Sequence, residues 1–326
     1  MQKQQTVVGG IRPTNKLHVG NFLGALKQFV EISQNPEFTS YFFIVDLHAL
    51  TTPFEPKELR GNTLDAAATY LAAGFDHKNS CLFVQSHLPE HSELAWIFNC
   101  ITPLGELERM TQFKEKSQAH ASNINAGLLA YPVLMASDIL LYKPTGVSVG
   151  EDQVQHVELS RVIARKFNNR FGKIFPEPQT YLRKPLRVMS LTDPDKKMSK
   201  TGDEALLMDD SPAEILRKLK KAVTASDAGK KSAGVENLFL LLEHFGPKEH
   251  ITYFRDAQRE NTLKFSELKE TLAKDIAEYF SEFREKKKEL LARPEYLAEI
   301  LGEGARKASA VARENLLEIK HRIGLL

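Results

Sequence analysis

The architecture of this chain can be predicted from residues 6–45, which read TVVGGIRPTNKLHVGNFLGALKQFVEISQNPEFTSYFFIV. Residues 6–11 are β-branched and apolar, which is typical of a buried strand, and the spacing of the apolar residues after residue 21 indicates a helix. Pro13 predicts a loop between the two. The apolar run at residues 41–45 predicts a second buried strand. A strand, a helix and a second strand in this order form the repeating unit of a parallel sheet with right-handed crossovers.

The same alternation continues further along the chain. A helical pattern covers residues 56–73, a third buried strand is predicted at 81–84, and a short strand pattern returns at 144–149 after a mainly helical stretch. We therefore predict an α/β fold with a doubly wound, parallel, Rossmann-like sheet.

Strand patterns disappear from about residue 203, and helices dominate the rest of the chain. The first of these helices has a typical start, with Ser211 as N-cap, proline at the first helical position and Glu214 at the third. We therefore predict a Rossmann-like domain with a helical insertion at 1–195 and a second, all-helical domain at 196–299. The last helix, at about 300–326, is expected to pack back on the first domain.

Composition excludes several classes of protein. The chain has 326 residues, and 44 Lys+Arg against 42 Asp+Glu leave a net charge of +2, so it is neither a disordered chain nor a carrier of a basic arm. Its two cysteines, Cys81 and Cys100, lie outside any Cys/His cluster, so we expect no iron–sulfur cluster and no zinc. No apolar run approaches about 20 residues and the N-terminus lacks an apolar leader, so we expect a cytoplasmic protein with no membrane association.

A first candidate motif for ligand binding is His18-Val19-Gly20-Asn21, where the first loop gives way to the first helix. The start of a helix offers unpaired N–H groups to a phosphate, and an imidazole can donate to a phosphate oxygen. A glycine there lets a ligand approach the backbone closely. The alternative is a packing glycine beside an ordinary histidine.

A second candidate motif is Lys197-Met198-Ser199-Lys200-Thr201, in a polar stretch near the predicted domain boundary. Two lysines on long side chains suit a polyphosphate whose charge shifts during a reaction. The alternative is a solvated basic loop.

Together the two motifs resemble the paired signatures of class I aminoacyl-tRNA synthetases. Four further segments, in the same order as in the family, resemble the tryptophanyl enzymes: residues 44–49, 105–117, 131–142 and 150–153. The resemblance covers most of residues 6–201. It implies a catalytic first domain and a helical domain that binds the tRNA anticodon. It further implies activation of L-tryptophan with ATP and Mg²⁺, transfer to tRNA(Trp), and a homodimer.

The resemblance also implies an amino-acid pocket, and the residue types at Met135 and Asp138 suit it. Met135 and Asp138 are three positions apart on a predicted helix and share a face. Asp138 is the only charge in a strongly apolar run, and a buried carboxylate needs a donor. An indole N–H is a donor only, and methionine packs well against an aromatic ring. In the tryptophanyl family the equivalent aspartate accepts the indole N–H.

The resemblance implies the remaining site residues. The catalytic residues are expected to be His18, Lys197 and Lys200. Tryptophan is expected to contact Val8, His48, Met135, Asp138 and Gln153. ATP is expected to contact Arg12, Pro13, Thr14, Gly20, Asn21, Gly150, Glu151, Asp152, Val188, Lys197, Met198, Ser199, Lys200 and Thr201. Lys114 and Lys116 are candidates for the phosphate side, and no protein-bound metal is expected.

The sequence departs from the family pattern at several positions. The loop at residues 12–15 replaces the common Gln-Pro-Ser-Gly, Val8 stands where phenylalanine is frequent, Leu47 replaces a common glutamine, and Thr201 replaces the usual serine. These departures change side chains that the resemblance expects near ATP and the indole, and Thr201 keeps a hydroxyl.

Three alternatives to this function stay open: a tyrosyl-tRNA synthetase, a small nucleotidylyltransferase and a synthetase-derived RNA-binding protein without activity. Two basic clusters on predicted helices, Arg217, Lys218, Lys220 and Lys221 and then Lys286, Lys287 and Lys288, could contact RNA phosphates. Solvated helix faces explain both clusters equally well, so we assign no anticodon-reading residues.

Overall fold

The computed structural model describes residues 5–13, 16–114, 124–150, 153–181, 186–199, 202–224 and 232–326. The chain divides into two compact units. The first unit comprises Met1–Thr14, Gln28–Pro185 and Leu290–Leu326, and the second comprises Asn15–Lys27 and Leu186–Glu289. The predicted domain boundary at residue 195 stays a prediction, because a compact unit of one chain is not by itself an independently folding domain.

A five-stranded parallel sheet forms the centre of the first unit. Its strands, in chain order, are β1 (Gln5–Ile11), β2 (Phe38–Ile44), β3 (Cys81–Val84), β4 (Gly146–Ser148) and β5 (Gln179–Tyr181), and they lie in the order β3-β2-β1-β4-β5. This confirms the predicted doubly wound sheet. No sequence pattern indicated β5, because a three-residue edge strand is too short to show a period.

Strand β1 lies at the point where the strand order reverses. Val8 is in register with Tyr41 of β2 on one side and with Val147 of β4 on the other. In open sheets of this kind, ligands bind beyond the carboxyl ends of the strands at this reversal point. Pro13 follows β1 and Gly150 follows β4, so two residues predicted to bind ATP lie there.

Helices account for most of the remaining chain: α1 (Val19–Asn21), α2 (Lys27–Gln34), α3 (Asp46–Ala49), α4 (Pro56–Ala72), α5 (Glu90–Asn99), α6 (Leu104–Glu108), α7 (Ala126–Leu140), α8 (Val154–Phe171), α9 (Pro212–Lys220), α10 (Ala233–Phe245), α11 (Lys248–Arg259), α12 (Phe265–Tyr279), α13 (Ser281–Leu291) and α14 (Pro294–Ile323). A π-helical turn at Phe22–Leu26 joins α1 to α2. Within the described ranges, no helix is long and apolar enough to cross a membrane.

The main apolar core of the first unit lies between the sheet and helices α5, α7, α8 and α14. Phe43 and Phe83 contribute from the strands, Phe98 from α5, Leu140 from α7 and Phe167 from α8, and each is at most 2% exposed. Full burial of side chains of this size supplies most of the driving force for folding. The core therefore holds α7, the helix that carries Asp138, firmly against the sheet.

The last helix, α14, belongs to the first unit and packs on β3, α4 and α5. The approach is close at Gly304, where an added Cβ would lie 2.1 Å from the carbonyl oxygen of Leu82 in β3. Since β3 is an edge strand, the helix covers a strand that would otherwise be available for pairing with another chain.

Helix α9 in the second unit begins as the sequence predicts. The Ser211 hydroxyl accepts from the N–H of Glu214, and the Glu214 carboxylate accepts from the N–H of Ser211, which completes a capping box. Neither interpretation of the basic cluster on this helix, RNA contact or a solvated face, holds at Lys218, which is only 5% exposed.

Several residues of the two basic clusters form ion pairs within the second unit. Asp203 pairs with Arg217 and Lys221, Asp210 with Lys218, Asp209 with Lys287, and Glu270 with Lys220. Lys218 and Lys287 are buried, so neither presents its charge to an RNA backbone.

Candidate active site

Asp138 is the centre of a buried hydrogen-bond cluster in the first unit. Helix α7 carries it, and it is 2% exposed. Its Oδ1 lies 2.7 Å from Nε2 of Gln85 and 2.7 Å from Nδ1 of His91, and its Oδ2 lies 2.8 Å from Nε2 of His48. His48 follows β2 and Gln85 follows β3, so the carboxyl ends of two neighbouring strands bring these donors to one carboxylate.

The charge of Asp138 determines the direction of these bonds. Burial alone would raise the pKa of Asp138, but hydrogen bonds from His48 and His91, together with their charge interactions, lower it to about 2. An ionised carboxylate only accepts hydrogen bonds, so both imidazoles donate to it.

The network continues behind His91. The Tyr142 hydroxyl lies 2.9 Å from Nε2 of His91. Burial, followed by the charge of Asp138, raises the pKa of Tyr142 well above its ordinary value, so the phenol keeps its proton and can donate it to this nitrogen. This arrangement holds the proton of a neutral His91 on Nδ1, where it points at Asp138.

The cluster retains acceptor capacity. A carboxylate has about four lone-pair positions, and Asp138 receives three hydrogen bonds from residues that the structure describes. Its Oδ2 accepts from His48 alone among them. The buried Oε1 of Gln85 also lacks a partner within the described ranges. The Oδ2 atom of Asp138 therefore keeps a lone pair for one further N–H donor, as the predicted indole contact requires.

Other residues predicted to bind tryptophan lie in the same unit. Met135, one helical turn before Asp138, is partly buried against the main apolar core. Val8 is 1% exposed and belongs to the same core. Gln153 is the N-cap residue of α8, and its N–H donates to the carbonyl oxygen of Gly150 over 3.0 Å. His48 is hydrogen bonded to Asp138, and the contacts of all these residues with tryptophan stay predictions.

The histidine motif lies in the second unit, together with the segment that carries the lysine motif. His18 is 4% exposed and caps α1, where its Nδ1 accepts from the N–H of Asn21 over 3.2 Å. Because Nδ1 accepts, a neutral ring carries its proton on Nε2. At Gly20, an added Cβ would lie 3.3 Å from Cβ of Val188, so the glycine permits close packing against another residue predicted to bind ATP.

The lysine motif begins on a hairpin rather than in a loop. The N–H of Met198 donates to the carbonyl oxygen of Val188 over 3.0 Å, and Met189 and Lys197 form an antiparallel β-bridge. Met198 is buried while Lys197 is exposed, so the hairpin anchors the motif through its methionine. The Ser199 hydroxyl donates to Glu204 over 2.8 Å.

A single segment connects the two motifs. The N–H of Val19 donates to the carbonyl oxygen of Leu206 over 2.9 Å, and the N–H of Met208 donates to the carbonyl oxygen of Leu17 over 3.0 Å. Between these two bonds, His18 and Leu207 form an antiparallel β-bridge. The sequence predicted both motifs but not residues 204–208, which join them.

The remaining predicted site residues lie away from the Asp138 cluster in the sequence or fall outside the described residues. Arg12 and Gly150 are exposed, Pro13 is buried, and Lys114 is exposed. Thr14, Lys116, Glu151, Asp152, Lys200 and Thr201 lie outside the described residues. Their predicted roles stay predictions.

Sequence reasoning missed Gln85, His91 and Tyr142 as members of the Asp138 cluster. One signal was available for Gln85, because a polar residue directly after a buried strand lies at the edge where parallel sheets bind ligands. Tyr142 lies within the resembling segment 131–142. No local pattern indicated His91, which is 0% exposed and reaches Asp138 across 47 positions of sequence.

A family model described as "tRNA synthetases class I (W and Y)" matches residues 1–293. The curated tryptophan–tRNA ligase of Caldanaerobacter subterraneus subsp. tengcongensis is 45% identical over 333 residues, covering 98% of this chain and 98% of that protein. The corresponding ligase of Clostridium tetani is 41% identical, covering 99% and 96%.

Solved structures agree with these sequence comparisons. The crystal structure of tryptophanyl-tRNA synthetase from Campylobacter jejuni, complexed with ADP and tryptophan, has a TM-score of 0.87 to this chain at 35% identity. The match covers 98% of this chain and 99% of that chain.

Proposed function

The chain belongs to the family of class I tRNA synthetases for tryptophan and tyrosine, and we propose that its amino acid is tryptophan, which it joins to tRNA(Trp) at the expense of ATP. It is an enzyme, a tryptophan–tRNA ligase. Relatives at 41–45% identity over nearly the full chain are tryptophan–tRNA ligases, which supports tryptophan over the tyrosyl alternative.

The Asp138 cluster is the observation that carries this proposal. Asp138 is an ionised acceptor, it is 2% exposed, and its Oδ2 can accept one more hydrogen bond. An indole N–H satisfies that position, whereas phenylalanine offers no donor. A site built around a buried hydrogen bond discriminates strongly against ligands that cannot form it.

Two steps make up the reaction. A carboxylate oxygen of tryptophan attacks the α-phosphorus of ATP, the bond to pyrophosphate breaks, and tryptophanyl-adenylate forms. A hydroxyl of the terminal ribose of tRNA then attacks the acyl carbon, its proton is lost, and AMP leaves. The substrate supplies its own nucleophile, so the protein acts by alignment and by stabilising charge.

The residues of the second unit bind the phosphates in this scheme. His18 with its proton on Nε2 donates to a phosphate oxygen, and Gly20 lets the nucleotide approach the backbone. Lys197, with Lys200 as predicted from sequence, stabilises the negative charge that develops on pyrophosphate. Mg²⁺ arrives with ATP as part of the substrate complex. The family resemblance implies that ATP also contacts Arg12, Pro13 and Gly150, which follow strands β1 and β4 of the first unit.

The helical part of the chain binds tRNA in this proposal. Ion pairs occupy five of the seven basic side chains in the two clusters, namely Arg217, Lys218, Lys220, Lys221 and Lys287. Lys286 and Lys288 on α13 are exposed and lie on either side of the buried Lys287, so they are the residues of that cluster placed to contact phosphate.

The proposal includes a second copy of the chain. Helices α3, α5 and α7 line an apolar groove of about 350 Å³, which includes Leu50, Ala95, Trp96 and Leu134. Trp96 is 71% exposed and Leu50 is 45% exposed. Exposed apolar surface of this kind marks interaction sites, and buried tryptophans are frequent at the centres of protein interfaces. We propose that the same surface of a partner copy covers this groove.

Tryptophan-dependent exchange of pyrophosphate into ATP tests the proposed function directly. The purified chain should catalyse exchange with L-tryptophan at a higher kcat/KM than with L-tyrosine, and at least about 10³-fold higher than with L-phenylalanine, which offers no donor. Aminoacylation of tRNA(Trp) transcripts should follow with the same preference. Equal exchange with tyrosine would assign the chain to the tyrosyl branch, and absence of exchange with either amino acid would contradict an adenylate-forming enzyme.

A further inference from the structure

Asp210 lies where two signature motifs are brought together, although it belongs to neither. It is 5% exposed and precedes α9 in the second unit. Its Oδ2 accepts from the N–H of Leu207 over 2.8 Å and from Nζ of Lys218 over 2.7 Å. The Lys218 side chain is 6% exposed, so this is a buried ion pair attached to a backbone amide.

Leu207 is the residue that faces His18. The segment on either side of it pairs with the chain before α1 through the bonds Val19 N–H to Leu206 and Met208 N–H to Leu17. The side chains of Leu206 and Met208 are at most 1% exposed, so the segment is packed as well as hydrogen bonded. The Asp210 carboxylate therefore fixes the middle of the segment that holds the backbone of the histidine motif.

The same segment reaches the lysine motif at its other end. Glu204 accepts from the Ser199 hydroxyl over 2.8 Å, and its carbonyl oxygen accepts from the N–H of Leu191 over 3.0 Å. Residues 204–210 thus contact the lysine hairpin at one end, the histidine motif in the middle and α9 at the other end. A shift of this segment would change the distance between the two motifs.

We propose that Asp210, together with Lys218, is a positioning residue for ATP chemistry: it holds residues 204–210 in the register that sets His18 relative to the lysine hairpin. This inference rests on the proposed function of His18 and the lysines. Asp210 touches no substrate in this scheme and acts through Leu207. Misplacement of reacting groups by about 1 Å is enough to lower a rate by as much as about a hundredfold.

The neighbouring residue Asp209 provides a matched control. It forms an ion pair with Lys287 of α13 over 2.9 Å, and the Lys287 side chain is 5% exposed. Unlike Asp210, it has no hydrogen bond to the backbone at 206–208 among the described contacts. Loss of either pair removes one buried charge interaction, but only loss of the Asp210 carboxylate releases Leu207.

Two charge-balanced double variants test the proposal without leaving a buried lysine unpaired. D210A/K218M removes the acceptor for Leu207, whereas D210N/K218M keeps an amide oxygen in the same place. We expect D210A/K218M to lower kcat for tryptophan-dependent pyrophosphate exchange roughly ten- to hundredfold, with an unchanged dissociation constant for tryptophan. D210N/K218M should recover most of that loss, and D209A/K287M should stay within about twofold of the parent.

Coupling to His18 distinguishes positioning from a general structural effect. In an H18A background, D210A/K218M should cause no further loss of kcat, because the group that it positions is gone. Multiplicative losses, or an equal loss in D209A/K287M, would overturn the proposal.

Hydrogen exchange of the backbone gives a readout that does not depend on activity. The amides of Val19 and Met208 should exchange faster in D210A/K218M than in D209A/K287M. Unchanged protection would overturn the proposal even if activity fell. Absence of exchange activity in the unsubstituted chain would instead contradict the proposed function, and the amide measurement would still decide whether Asp210 holds the segment.

Discussion

The chemistry of Asp138 depends on which groups donate to it. Three donors from separate elements converge on one carboxylate, and their hydrogen bonds keep it ionised despite its burial. His48 donates to Oδ2, which keeps a lone pair for a further hydrogen bond, whereas Gln85 and His91 both donate to Oδ1. A single residue thus carries both the stability of the cluster and the proposed choice of amino acid.

Asp138→Asn should weaken selection of tryptophan. An amide presents one acceptor oxygen and one NH₂ group, so the NH₂ must face an N–H donor that the carboxylate accepted before. We expect the preference for tryptophan over phenylalanine in pyrophosphate exchange to fall about 10²- to 10⁴-fold. Glu158→Gln, which removes a carboxylate paired with Arg161 on α8, is the control and should leave the preference unchanged. Parental selectivity in Asp138→Asn would rule out the pocket.

The pKa of Asp138 also predicts how stability depends on pH. Its folded value of about 2 lies below the ordinary 3.8, so the stabilisation is present above about pH 4 and is lost as the pH falls towards the folded pKa. Between about pH 5 and about pH 3, the parent should lose about 1 kcal/mol more of its free energy of unfolding than Asp138→Asn. Denaturant titrations at the two pH values measure this difference. Parallel losses in the two proteins would contradict the lowered pKa.

At the scale of elements, the long C-terminal helix α14 depends on close approach to β3. Gly304 permits that approach, since its Cβ would collide with the backbone of Leu82, whereas a Cβ on Gly302 would meet only the end of the Arg306 side chain at 3.8 Å. Gly304 therefore cannot be replaced by a residue with a Cβ without a clash, whereas Gly302 can.

Alanine at these two positions should change stability in opposite directions. Gly304→Ala should cost about 1–3 kcal/mol through overpacking against the strand. Gly302→Ala should add about 0.5–1 kcal/mol, because alanine loses less conformational entropy than glycine when a helix forms. Chemical denaturation of the two variants and the parent measures both effects. An unchanged stability of Gly304→Ala would show that the helix does not pack on β3 through Gly304, and a loss in Gly302→Ala would contradict the open surroundings of that glycine.

At the scale of the whole molecule, the exposed groove around Trp96 is the feature that a monomer leaves unexplained. Trp96 is the only tryptophan in the chain, so its fluorescence reports on this surface without labelling. Its large exposed fraction means that burial by a partner would change both its emission and the association state.

Trp96→Arg should dissociate the proposed homodimer. Loss of a central aromatic contact typically costs about 2 kcal/mol or more, so the dissociation constant should rise at least about 30-fold. Sedimentation equilibrium measures this change, and emission of the parent should shift to longer wavelength on dilution. Leu317→Arg on α14 changes another exposed apolar residue, 50% exposed, and should leave the assembly intact. A monomeric parent at all concentrations would contradict the dimer.

The sequence by itself determined the features that depend on neighbouring residues. Strand and helix periods predicted the doubly wound sheet, the residues at 211–214 predicted the start of α9, and the motifs at 18–21 and 197–201 predicted the family. These signals are local because side-chain direction, capping and motif chemistry are set within a few positions of the chain.

Only the tertiary structure decided which distant groups meet. The partners of Asp138 lie 47, 53 and 90 positions away, and nothing periodic in the chain connects them. The sequence pattern places Lys218 in a basic cluster open to RNA or to solvent, yet the fold buries it against Asp210. The physical reason is that burial makes an unpaired charge or polar group costly, so the fold must supply its partner from whichever element packs beside it.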